Sequence, residues 1–378
     1  WNLQKIKAPE AWYYLFNNTT PASHTGSADV TVAVLDTGVA YETYTLDSLE
    51  DAFDRSYRVI SDLQSTTFVN GYDPSWEFMC DVWAGQGFPC NATELEKINH
   101  ANDDDGHGTF VTSIIASQID SASPNNILGI APSVQIMPVK IFLPKVDWMG
   151  DDKGATYDSI IINGLDHAIT NGADVINMSF GGYNEGDPLF EAKINEAHNA
   201  GIVLVGASGN NNGAVFFPAS LDNVIAVGAS NYAGTDKANY SNYGPELDVV
   251  APIGSNNGET GVGAATFSCF ADLNGPGEYD DGCGQDDDLT LAFMPNGTYM
   301  MGYGTSFAAP QVSAQAALLK SYNPSISTSM LIYQLIFNAL DIGQQGFDSS
   351  TGWGKIDVFQ ALQENSDDVL PPSSNLLS

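Results

Sequence analysis

Val30-Thr31-Val32-Ala33-Val34-Leu35-Asp36-Thr37-Gly38-Val39 decides how this chain is built. Val30 to Leu35 is apolar but for Thr31, which is β-branched. A short run of that kind reads as a parallel strand buried on both faces. Asp36 stands at its carboxyl end, beside a Thr-Gly turn. In open α/β sheets that edge is where ligand sites are built. The same alternation returns downstream. Val134 to Ile141 reads as a strand and Ser159 to Asn171 as a helix. Val175 to Phe180 is a strand ending in Gly181-Gly182, and Leu189 to Ala200 a helix. Ile202 to Ala207 is a strand ending in Ser208-Gly209-Asn210, followed by strands at Asn223 to Ala229 and Leu247 to Ala251. Strand and helix in turn predict an α/β fold: a doubly wound, mostly parallel sheet flanked by helices.

Other stretches break the rhythm. Residues 1–20 read as an amphipathic arm, with Trp12-Tyr13-Tyr14 to bury. Residues 41–100 read as irregular and rich in Asp, Ser and aromatics, with a short strand and turn at Phe68 to Asp73. Residues 254–298 are Gly-rich and acidic and read as an insertion. Ser329 to Ala339 gives a late helix, and Gly352-Trp353-Gly354-Lys355-Ile356-Asp357 leads into a last short one. The division expected is one domain over 1–363, with acidic loop insertions at about 41–100, 142–153 and 254–298. Residues 364–378, with Pro371-Pro372-Ser373-Ser374, form a tail or linker. A further C-terminal domain in a precursor is compatible with that linker.

The 378 residues are 43% hydrophobic, enough for a sizeable core. No run of 18 apolar residues predicts a membrane helix, and the start at Trp1 does not read as a signal peptide. With 12 basic against 46 acidic residues, net charge is -34. That argues against nucleic acid or anionic membrane as partner and makes most carboxylates a solvated face. The four cysteines form two local pairs, Cys80 with Cys90 and Cys269 with Cys283. They read as two disulfide-closed loops in an oxidising compartment. Zinc is the rival reading, weakened by the lack of Cys-x-x-Cys spacing.

Three polar residues sit at special places. Asp36 ends a strand. His107 opens an apolar helix in Asp105-Gly106-His107-Gly108-Thr109. Ser306 precedes another in Gly304-Thr305-Ser306-Phe307-Ala308-Ala309-Pro310. Alone, each has a plainer reading: a turn residue, a helix-start histidine, an N-cap. Together they are what nucleophilic catalysis needs. A serine hydroxyl attacks only when a base takes its proton. A histidine does that and later protonates the leaving amine. A carboxylate fixes the imidazole tautomer. A donor must meet the developing oxyanion, and Asn210, in a Gly-Asn-Asn loop, suits that part or is simply a loop cap.

With these motifs the chain resembles the subtilisin-like serine proteases, the subtilases. The matching stretches are Val-Leu-Asp36-Thr-Gly-Val, Asp-Gly-His107-Gly-Thr, Ala207-Ser208-Gly209-Asn210 and Gly304-Thr-Ser306-Phe-Ala-Ala-Pro310, in the subtilisin order Asp, His, Ser. The resemblance covers roughly 1–363 and makes that the catalytic domain. It implies Asp36 as orienting acid, His107 as general base, Ser306 as nucleophile and Asn210 as oxyanion donor, with the Ser306 backbone N–H beside it. Ser179-Phe180-Gly181-Gly182 resembles the edge that pairs with substrate, and Gly154-Ala155-Thr156 the second edge. Main-chain pairing of that kind tolerates many side chains. Ala207, Ser208 and Gly209 also line the expected cleft. Phe216, in Val215-Phe216-Phe217-Pro218-Ala219, is expected either to fill part of the S1 pocket or to turn into the core. Phe307 and Gln311 depart from the family, where Met and His are common.

The family also implies calcium and maturation from a pro-form. Its best-known calcium site is not expected to carry over, because the match begins only at Trp1, leaving the family's N-terminal Gln ligand without a counterpart in the match, and the ligand loop is shortened to Pro124-Asn125-Asn126-Ile127-Leu128. Asp272, Asn274 and Asp280, in the acidic insertion, outline a different calcium loop, or a merely solvated one. The expectation is a secreted, monomeric serine endopeptidase of broad specificity. It acts on proteins or peptides, binds structural Ca2+ and its own propeptide before maturation, and needs no organic cofactor. A narrow processing protease is the alternative, since Asp103-Asp104-Asp105 and Asp151-Asp152 suit basic substrates. A non-catalytic binding module on the same fold is the other.

Overall fold

The computed structural model describes residues 2–18, 25–41, 63, 65–103, 105–118, 127–143, 155–183, 187–256, 262–265 and 299–363. Seven parallel strands form its sheet: β1 (Thr31–Asp36), β2 (Thr67–Phe68), β3 (Gln135–Lys140), β4 (Val175–Met178), β5 (Val203–Ala207), β6 (Ile225–Ser230) and β7 (Val249–Pro252). Their spatial order is β2-β3-β1-β4-β5-β6-β7. The chain fills one side of β1 first and then crosses to the other, so the order reverses at β1. Such a switch point opens a crevice at the carboxyl edge. The register sets Asp36 level with Lys140 and Leu35 level with Met178.

Side chains on a strand alternate between faces. Val32 and Val34 pack with α5 (His107–Ala116) and α8 (Ala309–Tyr322), through Phe110, Val111, Val312 and Leu318. Ala33 and Leu35 pack on the opposite face, against Ile160 and Leu165 of α6 (Asp158–Thr170) and Ile194 of α7 (Pro188–Asn199). The period of two then carries Asp36 to the α5 and α8 side. α8 is buried almost all round. Its small residues let it pass close to the sheet, and the polar side chains it buries, such as Gln311 and Ser313, are hydrogen-bonded.

The N-terminal arm holds α1 (Asn2–Lys5) and α2 (Ala8–Asn18). Trp12 donates its indole N–H to the Ile130 carbonyl at 2.8 Å, and Tyr14 meets Tyr322 and Phe359 edge-on. Tyr13 points to solvent, as a helical period requires. The chain closes through α9 (Thr328–Phe337) and α10 (Val358–Gln363).

The expectation of an irregular stretch over 41–100 needs correction within its described part. It holds α3 (Pro74–Gly85) and α4 (Ala92–Glu96). Asp73 caps α3 by accepting from the Trp76 N–H at 2.9 Å, with Pro74 in the first turn. Asn91 and Glu94 form a reciprocal capping box on α4. Trp76, Met79 and Cys80 give α3 a buried face, which the aromatic and polar mixture hid. Cys80 lies in this helix, not in a loop, and is disulfide-bonded to Cys90. Cys269 and Cys283 lie outside the described residues. Among the described residues no helix is long and apolar enough to cross a membrane.

Candidate active site

Three elements deliver the site. β1 ends at Asp36, α5 begins at His107, and Ser306 lies in a 3-10 turn (Thr305–Phe307) between β9 (Tyr299–Gly302) and α8. β9 pairs antiparallel with β8 (Val262–Ala265).

Asp36 is 1% exposed. Its Oδ1 accepts from His107 Nδ1 at 2.7 Å and from the Thr37 N–H at 2.7 Å. Its Oδ2 is buried with no partner among the described residues. A carboxylate only accepts, so Nδ1 carries the proton and Nε2 is left as the acceptor in neutral imidazole. Burial works against the charged ring. The Asp36 carboxylate outweighs it, aided by Asp105 and Asp103, and the His107 pKa is raised from 6.5 to about 9. The first turn of α5 comes very close to β1. A Cβ on Gly108 would stand 2.0 Å from the Gly38 carbonyl oxygen, so only glycine fits there.

Ser306 is bracketed on three sides. The Thr305 N–H donates to Asn210 Oδ1 at 2.8 Å. The Ser306 carbonyl accepts from Ser179 Oγ at 2.7 Å. The Phe307 ring lies 5.4 Å from the His107 ring and 4.2 Å from that of Phe110. Behind Ser179 runs a buried relay: Asn177 donates to Ser179 Oγ at 2.9 Å and accepts from Ser313 Oγ of α8 at 2.9 Å. Gln311 turns inward and donates to the carbonyls of Pro252 and Phe307.

Asn210 is held in one orientation. Its Oδ1 accepts from both the N–H and the hydroxyl of Thr305, at 2.8 and 3.1 Å. Its Nδ2 makes no hydrogen bond among the described residues. Thr305 Oγ1 in turn accepts from the Gly209 N–H at 3.0 Å. Gly209 has φ of +105°, and a Cβ there would strike Asn242 Nδ2 and the Phe216 ring at 2.3 and 2.5 Å. The cleft walls can therefore approach only over glycine.

The remaining candidates fall on either side. Gly182 and Phe217 exchange backbone hydrogen bonds of 2.9 and 3.1 Å, joining the Ser179–Gly182 edge to the 215–219 segment. Ser208 sits between them, its carbonyl accepting from the Phe216 N–H at 2.9 Å. Ser179 is buried and its hydroxyl is engaged with Ser306. Phe180 is half-buried, edge-on to Phe142. Phe216 does not enter the core. It packs over Gly209 and Gly181, with the exposed Tyr183 edge-on at 4.6 Å. Asn211 Nδ2 pins the Tyr183 hydroxyl at 2.7 Å. The core partner is the next residue, Phe217, 4.7 Å from Phe190. Ala155 and Thr156 lie beside Ile141 to Leu143, the Ala155 carbonyl accepting from the Leu143 N–H at 2.8 Å and Thr156 Oγ1 donating to Ile141 at 2.6 Å. Gly154, Asp272, Asn274 and Asp280 lie outside the described residues. Among those described, no three His, Cys, Asp or Glu side chains gather where a metal would be held.

Sequence reasoning passed over Thr37, Asn177, Tyr183, Tyr240 and Thr305, and it read Asp103 as part of an acidic segment for basic substrates, whereas Asp103 is fully buried with its carboxylate bonded inside the protein. Tyr240 accepts from the Gly304 N–H at 3.1 Å and donates to the Gly254 carbonyl at 3.0 Å. Only Asn177 carried a signal, as a polar residue inside the apolar run Val175 to Met178.

Residues 27–354 match the profile of the subtilase family. The chain belongs to that family. Subtilisin DY of Bacillus licheniformis is 31% identical over 291 residues, covering 73% of this chain and 88% of its own. The minor extracellular protease Epr of Bacillus subtilis is 32% identical over 256 residues, 67% of this chain and 32% of that relative. Fervidolysin from Fervidobacterium pennivorans, a keratinolytic enzyme related to subtilisin, superposes with a TM-score of 0.68 at 25% identity. That match covers 97% of this chain and 46% of fervidolysin. This subtilase thus spans most of subtilisin DY and less than half of the two longer relatives. It is a subtilisin-like serine endopeptidase, with the seven-stranded doubly wound sheet described above.

Proposed function

We propose that this subtilase is a secreted endopeptidase of broad specificity that works through Asp36, His107 and Ser306. The observation that carries the reading is the 2.7 Å Asp36–His107 hydrogen bond beside the bracketed Ser306 turn. As Ser306 Oγ attacks the scissile carbonyl carbon, His107 Nε2 takes its proton. Asp36 holds Nδ1 and stabilises the imidazolium. The carbonyl oxygen becomes an oxyanion, met by Asn210 Nδ2 and the Ser306 N–H. His107 returns the proton to the leaving amine. Water, activated by the same ring, then hydrolyses the acyl-enzyme. Peptide lies between the Ser179–Gly182 edge and the Gly154–Thr156 edge, along Ala207, Ser208 and Gly209, with Phe216 on the S1 wall.

A fluorophosphonate probe tests the reading. It should add one label on Ser306, seen by mass spectrometry, and Ser306→Ala should abolish both label and turnover. Labelling elsewhere, or turnover surviving in Ser306→Ala, would overturn it.

The reading takes 1–363 as the catalytic domain and 364–378 as a tail, in a monomer matured from a pro-form. Family membership makes calcium a reasonable structural ion. Its place in this reading is Asp272, Asn274 and Asp280, where clustered carboxylates would gain from a hard cation. The check is the melting temperature of Ser306→Ala with calcium and with EDTA at constant ionic strength. An unmoved midpoint would remove the ion.

A further inference from the structure

Asp103 lies four residues before His107 and is completely buried. It accepts five hydrogen bonds. Oδ1 takes the Thr37 hydroxyl at 2.8 Å and the N–H groups of Asp105 and Gly106, each at 3.0 Å. Oδ2 takes the Thr109 N–H at 2.9 Å and its hydroxyl at 2.6 Å. These donors come from two places. Thr37 follows Asp36 on the turn after β1. Gly106 and Thr109 flank His107 at the start of α5.

Thr37 ties the two together from its other atoms. Its N–H donates to Asp36 Oδ1 at 2.7 Å, and its Oγ1 accepts from the Gly108 N–H at 2.9 Å. Lys140 Nζ, from β3, reaches its carbonyl at 2.7 Å. Thr109 Oγ1 also accepts from the Ala40 N–H at 2.9 Å. Thr37 therefore links Asp36 to the start of α5 by a route separate from the Asp36–His107 hydrogen bond: its hydroxyl bonds both Asp103 and the Gly108 N–H.

We propose that Asp103 is a positioning residue for the reaction: it clamps the turn behind Asp36 to the first turn of α5 and so sets the Asp36–His107 hydrogen bond. The proposal rests on the reading of Asp36 and His107 as acid and base. A carboxylate is required because all five partners are donors. Asparagine at this place would turn an NH2 toward donors on one side or the other, and a buried donor facing a donor costs the bond and its desolvation. Errors of about 1 Å in a catalytic pair cost on the order of 10²-fold in rate. The surrounding charges are Asp105 on the same turn, Lys140 on β3, and the Asp36–His107 pair itself.

The test compares wild type with Asp103→Asn, Thr37→Val and Thr37→Ser. Thr37→Val keeps the shape and removes only the hydroxyl link, so it serves if Asp103→Asn does not fold. Three quantities are read: kcat and KM on a peptide substrate, the melting temperature, and the low-field proton resonance of His107 Nδ1–H. The expected result is kcat lower by about tenfold or more in Asp103→Asn and Thr37→Val, with KM within about twofold. The low-field resonance should be displaced or broadened, and Thr37→Ser should restore both. A resonance unmoved in Thr37→Val overturns the clamp, whether or not stability falls, because a merely structural role would leave the Asp36–His107 bond as it was. Fluorophosphonate labelling of the wild type separates the two readings. If Ser306 does not label, the nucleophile reading fails, while the resonance still judges the clamp.

Discussion

The Ser179 hydroxyl donates a 2.7 Å hydrogen bond to the carbonyl of Ser306. It is the last link of the relay that starts at Ser313 in α8 and passes through Asn177 at the end of β4. Ser306, the nucleophile of the proposed reading, is thus held from behind by its own carbonyl. Ser179→Ala leaves that carbonyl and one Asn177 N–H without their partner. Stability should fall by about 1–2 kcal/mol, and kcat by roughly 5- to 30-fold if the turn loosens. Thermal melts and steady-state kinetics check both. Unchanged kcat would mean that the turn is held well enough by Asn210 and Phe307.

Thr305 engages the Asn210 oxygen twice and leaves Nδ2 without a hydrogen bond among the described residues, which suits the donor role proposed for it. Asn210→Ala should lower kcat by about 10²–10³ with little change in KM, the cost already measured for losing this donor in subtilisin. Thr305→Val, which removes the hydroxyl but keeps the N–H bond, should cost less. If it cost more, the orientation of the amide would depend on the hydroxyl rather than on the backbone.

The pH response of His107 has opposite signs for activity and stability. As the proposed base, His107 must be neutral to accept a proton, and Asp36 holds its pKa up near 9 against the effect of burial. The acid limb of kcat/KM should therefore lie above 6.5 and rise toward about 9. Folding favours the protonated ring. That contribution to stability is complete below 6.5 and is lost as pH rises through about 9. A pH–rate profile, with melts of Ser306→Ala across the same range, tests both signs. An acid limb at or below 6.5 would contradict the effect ascribed to Asp36.

Phe216 covers Gly209 and Gly181 on the cleft side, steadied by Tyr183. If that place is the proposed S1 wall, the ring leaves room for small and medium P1 side chains. Phe216→Gly should raise cleavage after Phe and Tyr relative to Ala by on the order of tenfold or more. Tyr183→Ala should move the preference the same way by less. A P1 profile from a mixed peptide pool that does not change would remove Phe216 from the pocket.

Cys80–Cys90 joins α3 to the segment that follows it, well away from Ser306 in the chain. Replacing both by Ala should cost about 2–3 kcal/mol of stability and leave kcat near wild type. Loss of activity at a temperature where the variant stays folded would tie α3 to the cleft.

The sheet and the four polar residues at its carboxyl edge were legible because each is announced locally. Asp36 ends an apolar run, His107 and Ser306 stand among glycines before apolar helices, and Asn210 follows a strand. α3 was missed because Trp76, Met79 and Cys80 bury one face among polar neighbours, so the run resembles an aromatic loop. The supports of the site were hidden for another reason. Ser313 and Asn177 are 136 residues apart, and Ser179 and Ser306 are 127 apart. No local pattern announces such pairs, since the sheet register and the seating of α8 bring them together.

Phe307 gives the site a chemical property of its own. Subtilases commonly carry a thioether next to the nucleophile. There an oxidant makes a polar sulfoxide against the imidazole and the oxyanion donors. In this chain the place is taken by a buried phenyl ring between His107 and Phe110, which offers peroxide no sulfur. Turnover should persist under peroxide strong enough to convert an exposed thioether such as Met301, 40% accessible. Phe307→Met should make the enzyme bleach-sensitive at a single atom.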